Sequence, residues 1–174
     1  MVHVSGRPLR LAFAGIATAV VALDQLTKTW LVSVLDPGES FPVLGDLLRI
    51  VHYRNDGGLF GFLHGQAGIF ALLSLVVIGG IVLYHDRSGR MPMLSVTLGL
   101  LLGGALGNLV DRVRFGSVID FVDAGVGTFR WYTFNVADAA ISTSIVLLFV
   151  LALFPRLSEL GRTGAGGPDG APDA

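Results

Sequence analysis

The chain has 174 residues, of which 52% are hydrophobic and 14% charged, with a formal net charge of −1 and no cysteine. A soluble domain carries about 25% charged residues, so too few polar side chains remain to cover a water-facing surface, and the expected solvent is lipid. The charge balance argues against a nucleic-acid partner, which calls for a basic face. The lack of cysteine excludes disulfides, thiol catalysis and Cys-type metal sites.

Four apolar runs follow in chain order: 9–35, interrupted by Asp24 and Lys28, then 67–84, 93–113 and 137–154. Each approaches the roughly 20 residues that cross the hydrocarbon core. A crossing segment must pair its own backbone groups, so each run is expected to be a helix. The first run has a second reading, as a signal peptide that starts at Arg7 and Arg10. Against it, the small-residue stretch Ala17-Thr18-Ala19 lies inside the apolar run, and the run resumes at Trp30. Between the first and second runs, residues 41–53 are rich in Val, Leu and Ile, and Asn55-Asp56-Gly57-Gly58 is a turn signal. The expected fold is an all-α membrane protein. It has four transmembrane helices and a small extramembrane β-rich segment between helices 1 and 2, lying on the bilayer.

Glycines recur within the runs at Gly79-Gly80, Gly99, Gly103-Gly104 and Gly107, and are read as close-packing positions between helices. Residues 1–160 form one membrane-embedded domain in this reading, and the Gly- and Pro-rich tail 161–174 is a disordered extension. Arg7, Arg10, Arg87, Arg90, Arg156 and Arg162 flank one side densely, against Arg49, Arg54, Arg112, Arg114 and Arg130 on the other. That bias puts both termini in the cytoplasm and both long connections outside. The histidines His3, His52, His64 and His85 show no metal-ligand spacing, so neither a metal nor another cofactor is expected.

Acidic residues within membrane runs stand out, because an ionised Asp at a helix centre costs about 2.5–3.5 kcal/mol on insertion scales. Asp24 and Lys28 are one helical turn apart and can pair with each other. Asn108, Asp111 and Arg112 share a face at the end of the third span, where they can tie helices or position a substrate. Asn135 precedes the fourth span and can cap it, which would make Asp138 an ordinary first-turn acid. Asp120 falls in a connection, where it also passes as a solvated side chain.

Geometry supports a sharper reading of the last two. The third helix ends near Asp111 and the fourth begins near Asp138 at the same face, and Asp120 lies in the segment that joins them. Two carboxylates that meet there cannot both ionise cheaply, so they share a proton. One then activates water while the other protonates a carbonyl oxygen. The chain has no GxSxG elbow.

These residues also carry a resemblance. The chain resembles the bacterial lipoprotein signal peptidases, signal peptidase II, through Asp24-Gln25-Leu26-Thr27-Lys28, Asn55-Asp56-Gly57-Gly58-Leu59-Phe60-Gly61, Gly107-Asn108-Leu109-Val110-Asp111-Arg112, Gly116-Ser117-Val118-Ile119-Asp120-Phe121 and Phe134-Asn135-Val136-Ala137-Asp138. The resemblance implies Asp120 and Asp138 as the catalytic pair. It implies Asp24, Lys28, Asn55, Gly57, Asn108, Asp111, Arg112 and Asn135 as support and substrate-contact positions. It also implies a prolipoprotein substrate whose Cys bears a diacylglyceryl group, cleavage on the amino side of that Cys, and inhibition by globomycin-type peptides. The site would stand near the outer face of the bacterial cytoplasmic membrane. One departure is visible: Gly58-Leu59 stands where the family commonly has Ala-Ala.

Two other readings are compatible with acids in a membrane: a proton-coupled transporter subunit and a non-catalytic scaffold. The first calls for mid-helix titratable groups and inverted repeats, whereas the acids here gather at one end and no repeat is visible. A presenilin-type protease is disfavoured by the lack of a G-x-G-D stretch.

Overall fold

The computed structural model describes residues 7–57, 67–88 and 91–159. The tail 161–174 and the segment Gly58-Leu59-Phe60-Gly61 lie outside these residues. Among the described residues, four helices are long and apolar enough to span a membrane: α1 (Arg7–Val34), α2 (Ala67–Arg87), α3 (Pro92–Phe115) and α4 (Val136–Leu153). They coincide with the four apolar runs. A single-turn helix, α5 (Arg156–Glu159), follows α4.

The middle of the bundle is α3. In its apolar stretch 56% of residues are buried, against 11% to 22% in the other three spans. Its glycines explain why. A Cβ on Gly99 would stand 2.9 Å from the Phe13 carbonyl, and one on Gly103 2.6 Å from the Val20 side chain, so α1 packs directly on α3 backbone. On another face a Cβ at Gly104 would meet the Ala137 carbonyl at 2.5 Å and Ile141 at 2.6 Å, so α4 packs there. The reading of every glycine as a packing site needs correction on α2, because Gly79 and Gly80 have no described atom within 4 Å of where a Cβ would be. They face away from the bundle.

At its far end α3 stops on Gly116, which adopts φ 67° and returns its amide to the Arg112 carbonyl. This left-handed position is open to glycine at little cost and turns the chain into a strand. Four strands form one antiparallel sheet in the order β1 (Ser40–Leu44), β2 (Leu48–Asn55), β3 (Val118–Val126) and β4 (Phe129–Arg130). The segment between α1 and α2 supplies β1 and β2, as expected. The connection after α3, read as a plain joining segment, supplies β3 and β4, so Asp120 is a sheet residue. Its strand character depends on pairing with β2, some seventy positions away, and local pattern does not report such a partner.

Two features of the sheet aim its side chains. Register shifts between Ile50, opposite Val122, and Tyr53, opposite Asp120. Two β2 residues therefore face one β3 residue, which is a bulge. Phe134 then makes a bridge to Val122, donating to the Val122 carbonyl at 3.1 Å and accepting from the Val122 amide at 2.8 Å. That bridge lays Asn135 beside Asp120. The far edge is clamped by Arg130, which pairs with Asp123 at 2.9 Å and reaches Asp46 in the β1–β2 turn. Leu31 of α1, Ile119 and Phe121 pack together under the sheet.

A buried ion triad joins the spans to this sheet. The Lys28 ammonium lies 2.8 Å from Asp24 and 2.9 Å from Asp111, and all three side chains are buried. Each carboxylate has a second partner in the backbone. Asp24 accepts from the Ala137 amide at 3.0 Å, and Asp111 accepts from the Ile119 amide at 3.0 Å. Gln25 donates to Asp111 at 2.9 Å. Burying ions costs several kcal/mol each unless pairing and hydrogen bonds are complete, and here they are nearly so.

Two stability outcomes follow. Lys28→Met keeps the length of the side chain but strands two buried carboxylates, so unfolding in detergent is expected to lose about 3–5 kcal/mol. A loss too small to measure would show the triad to be energetically idle. Gly104→Ala is expected to cost about 1–3 kcal/mol through overpacking, whereas Gly79→Ala is expected to be neutral or to gain about 0.5–1 kcal/mol from helix propensity. Equal melting shifts for the two would contradict the packing described.

Candidate active site

α4 begins with a capping box that has a second use. The Asn135 side-chain oxygen accepts from the Asp138 amide at 2.9 Å, and Asp138 accepts in return from the Asn135 amide at 3.2 Å. The plain capping reading of this spacing is therefore correct as geometry. It is also incomplete. The other half of the Asn135 side chain, its NH2, donates to Asp120 at 2.7 Å and to the Asn108 side-chain oxygen at 3.1 Å. Asn108 in turn donates to Asp138 at 2.8 Å. One asparagine thus touches both carboxylates, and a second closes the ring.

Asp120 receives a further bond on its other oxygen, from the Asn55 amide at 3.0 Å. Asn55 is oriented by Gly57, whose backbone N–H donates to the Asn55 side-chain oxygen at 3.1 Å, so that its NH2 group points at Asp120. The same NH2 lies 2.5 Å from the Tyr132 hydroxyl. Three asparagines therefore supply the neutral polar surroundings of two acids, so no cation is in direct contact with either acid among the described hydrogen bonds and ion pairs.

Asp120 lies on β3, outside the spans, and only 1% of its surface is exposed. Burial and, after it, the neighbouring charge of Asp138 push its carboxyl up from 3.8 to about 7, against the opposing bonds from Asn55 and Asn135. Loss of water penalises the charged form, and a like charge nearby penalises it again. Burial also pushes the Tyr132 hydroxyl up, followed by the charge of Asp120, so that hydroxyl stays protonated near neutrality.

A cleft of about 670 Å³ opens against this network. Asp138 lies in its wall with Trp131, Tyr132 and Phe134 above, and Ala139 and Ser142 continue down α4. The cleft therefore runs from the sheet into the depth of the fourth span.

The residues singled out by sequence divide into two neighbouring sets. Asp120, Asp138, Asn55, Asn108 and Asn135 share the network at the cleft, with Gly57 behind Asn55. Asp24, Lys28 and Asp111 form the buried triad, linked to the first set through a contact of 3.4 Å between Lys28 and Asn108. Arg112 does not join Asp111 despite adjacency. Its guanidinium reaches the Asn108 carbonyl at 3.4 Å and lies 5.6 Å from the ring centroid of Phe70 on α2, so successive helix positions point in different directions. Two participants escaped the sequence reading of roles. Gln25, as an amide in an apolar run next to Asp24, carries a usable signal. Tyr132 carried none beyond its nearness to Asn135.

Comparison with known proteins places these observations in a family. The family model described as Signal peptidase (SPase) II matches residues 16–154. The lipoprotein signal peptidase of Geobacillus kaustophilus is 43% identical over 153 residues, which is 87% of this chain and 99% of that protein. That of Syntrophus aciditrophicus is 41% identical over 150 residues, covering 83% of this chain and 92% of its own. Among solved structures, a bacterial membrane enzyme determined by the in meso method at 2.3 Å superposes with a TM-score of 0.75 at 29% identity, over 87% of this chain and 91% of that one. A second, determined at 1.9 Å, gives 0.73 at 31% identity, over 80% and 90%. With four spans, a sheet that draws on both long connections, and matches over nearly the whole length of its relatives, the chain belongs to the signal peptidase II family.

Proposed function

We propose that this chain removes signal peptides from diacylglyceryl-modified prolipoproteins as an aspartyl endopeptidase, cutting on the amino side of the lipidated Cys with Asp120 and Asp138 as its catalytic pair. The reading rests on Asn135, which holds one carboxylate through its side chain and the other through its backbone. Asp120 is buried and Asp138 half-buried in the cleft wall, and two acids joined in this way can hold a single proton between them.

The chemistry runs on that proton. The ionised aspartate takes a proton from water as the water oxygen bonds to the scissile carbonyl carbon. The protonated aspartate gives its proton to the carbonyl oxygen, forming a neutral tetrahedral diol. Collapse breaks the C–N bond, a proton passes to the leaving nitrogen, and one aspartate is left protonated again. Asn55 and Asn108 keep the two carboxyl groups oriented without adding a cation that would force both to ionise. Substrate fits the cleft by its own amphipathicity. Its acyl chains remain in the bilayer alongside α4 while the peptide bond stands at the level of Asp138. Anchoring of that kind supplies positioning, a large part of what such a site must provide. In this reading the termini are cytoplasmic, the sheet is on the outer side of a bacterial cytoplasmic membrane, and a globomycin-type peptide blocks the cleft.

Asp120→Asn and Asp138→Asn are each expected to abolish cleavage of a diacylglyceryl-modified precursor in detergent while leaving insertion and folding intact. Turnover by wild type should persist with chelator and stop with globomycin. Full turnover by either variant would reject the pair.

A pH dependence follows from Asp120. Its carboxyl is raised from 3.8 to about 7, so the folded state holds a proton in that window that the unfolded state has lost. Stability is then greatest at low pH and declines as pH rises from about 4 to about 7, and Asp120→Asn should flatten that decline. Cleavage should fall on the alkaline side with an apparent pKa near 7 as the donor proton leaves. A rate profile still rising through pH 9 would contradict the shared proton.

A further inference from the structure

We propose that Arg54 and Arg114 form a binding site for the phosphate of an anionic phospholipid headgroup, on the sheet side of the membrane beside α3. Five described arginines lie on the sheet side. Arg49 pairs with Asp46, Arg130 with Asp123 and Asp46, and Arg112 is held by the Asn108 carbonyl and the Phe70 ring. Arg54 and Arg114 form no ion pair with a described carboxylate. Both instead stand over the ring of Phe115, at 5.9 Å and 4.9 Å from its centroid.

A ring face attracts a guanidinium but accepts none of its in-plane N–H bonds. Two like charges on one ring also repel, so the arrangement favours a shared counter-anion. Phosphate is the anion best matched to the guanidinium fork.

Depth and space identify the source of that phosphate. Phe115 is the last residue of the third span, and Gly116 ends the helix, so the two cations stand where span gives way to sheet. A hollow of about 160 Å³ opens beside Arg114, Phe115 and Ile119, with Gln25, Thr29 and the exposed Val32 of α1 opposite and Asp111 also bordering it; Arg54 stands next to it, paired across the sheet with Ile119. The ammonium of Lys28 also borders it but is already held by two carboxylates. A hollow of this kind, lined mostly by polar residues and beside Arg114, fits a phospholipid headgroup, with its acyl chains against the exposed Val32 and the apolar third span. A zwitterionic lipid would bring its own cation to a place that already has two, so the site favours an anionic one. The inference is independent of the proposed peptidase chemistry, in which neither arginine takes part.

The test uses the full chain purified in detergent and offered an equimolar mixture of phosphatidylglycerol and phosphatidylcholine, with retained lipid counted by native mass spectrometry. Wild type is expected to retain phosphatidylglycerol preferentially. Each of Arg54→Gln and Arg114→Gln should lower that preference about fivefold, which corresponds to the ~1 kcal/mol that a basic side chain gains near an anionic lipid surface. The double variant should lose the preference while its precursor cleavage stays within about twofold of wild type. Arg54→Lys with Arg114→Lys, which keeps the charge, should retain most of the preference and serves if the glutamine pair fails to fold. Unchanged retention by the glutamine variants overturns the site. So does displacement of the lipid by millimolar inorganic phosphate, which would make it a free-anion site.

Discussion

The rest of the structure depends on one buried ammonium. Lys28 holds Asp24 and Asp111 together inside the membrane, and each of those carboxylates extends the constraint by one bond. Asp24 takes the amide of Ala137, the neighbour of Asp138. Asp111 takes the amide of Ile119, the neighbour of Asp120. A single cation on α1 thereby fixes the entry of α4 and the start of β3 against α3. The two acids proposed to do chemistry are each one residue from a backbone group held by the triad. Ions buried between membrane spans are costly alone, and their near-complete pairing is what makes this arrangement stable.

The acids of the chain therefore fall into two environments with opposite consequences. Asp24 and Asp111 face a cation and serve as framework. Asp120 and Asp138 face asparagine amides and each other. Neutral donors orient a carboxyl group without removing its reason to keep a proton, and for Asp120 the balance of burial against those bonds leaves the carboxyl far above its ordinary range. The glycines of α3 belong to the same design. Gly107 brings α3 so near α1 that a Cβ there would stand 2.7 Å from an Asp24 oxygen. A larger residue would push apart the elements that the triad joins.

The four spans were legible in the sequence because apolar length is a local property, and lipid leaves the backbone few alternatives to a helix. The Asn135–Asp138 cap was legible for the same reason, as a spacing of three at the head of an apolar run. Long-range partnerships were less so. Adjacency groups Asp111 with Arg112, yet its cation is Lys28, more than eighty positions earlier. β3 looked like a connection because its strand character comes from β2 across the sheet, and because Asp120 and Asp123 mask the apolar alternation. Gly79-Gly80 carried the small-residue signal of a packed interface but meets nothing in the described bundle. The meeting of Asp120 with Asp138 was inferred from where two helices end, and Asn135 is the physical link that inference lacked.

The proposed chemistry requires two carboxyl groups to hold one proton between them. Infrared difference spectroscopy of the carboxylic C=O stretch, recorded near pH 6 on wild type and on variants carrying asparagine at position 120 or 138, reads that proton directly. A single protonated-carboxyl band that disappears in either variant is the expected result. A spectrum with no such band, or with two bands lost one at a time, would mean that the acids titrate independently and that the network at the cleft does not couple them.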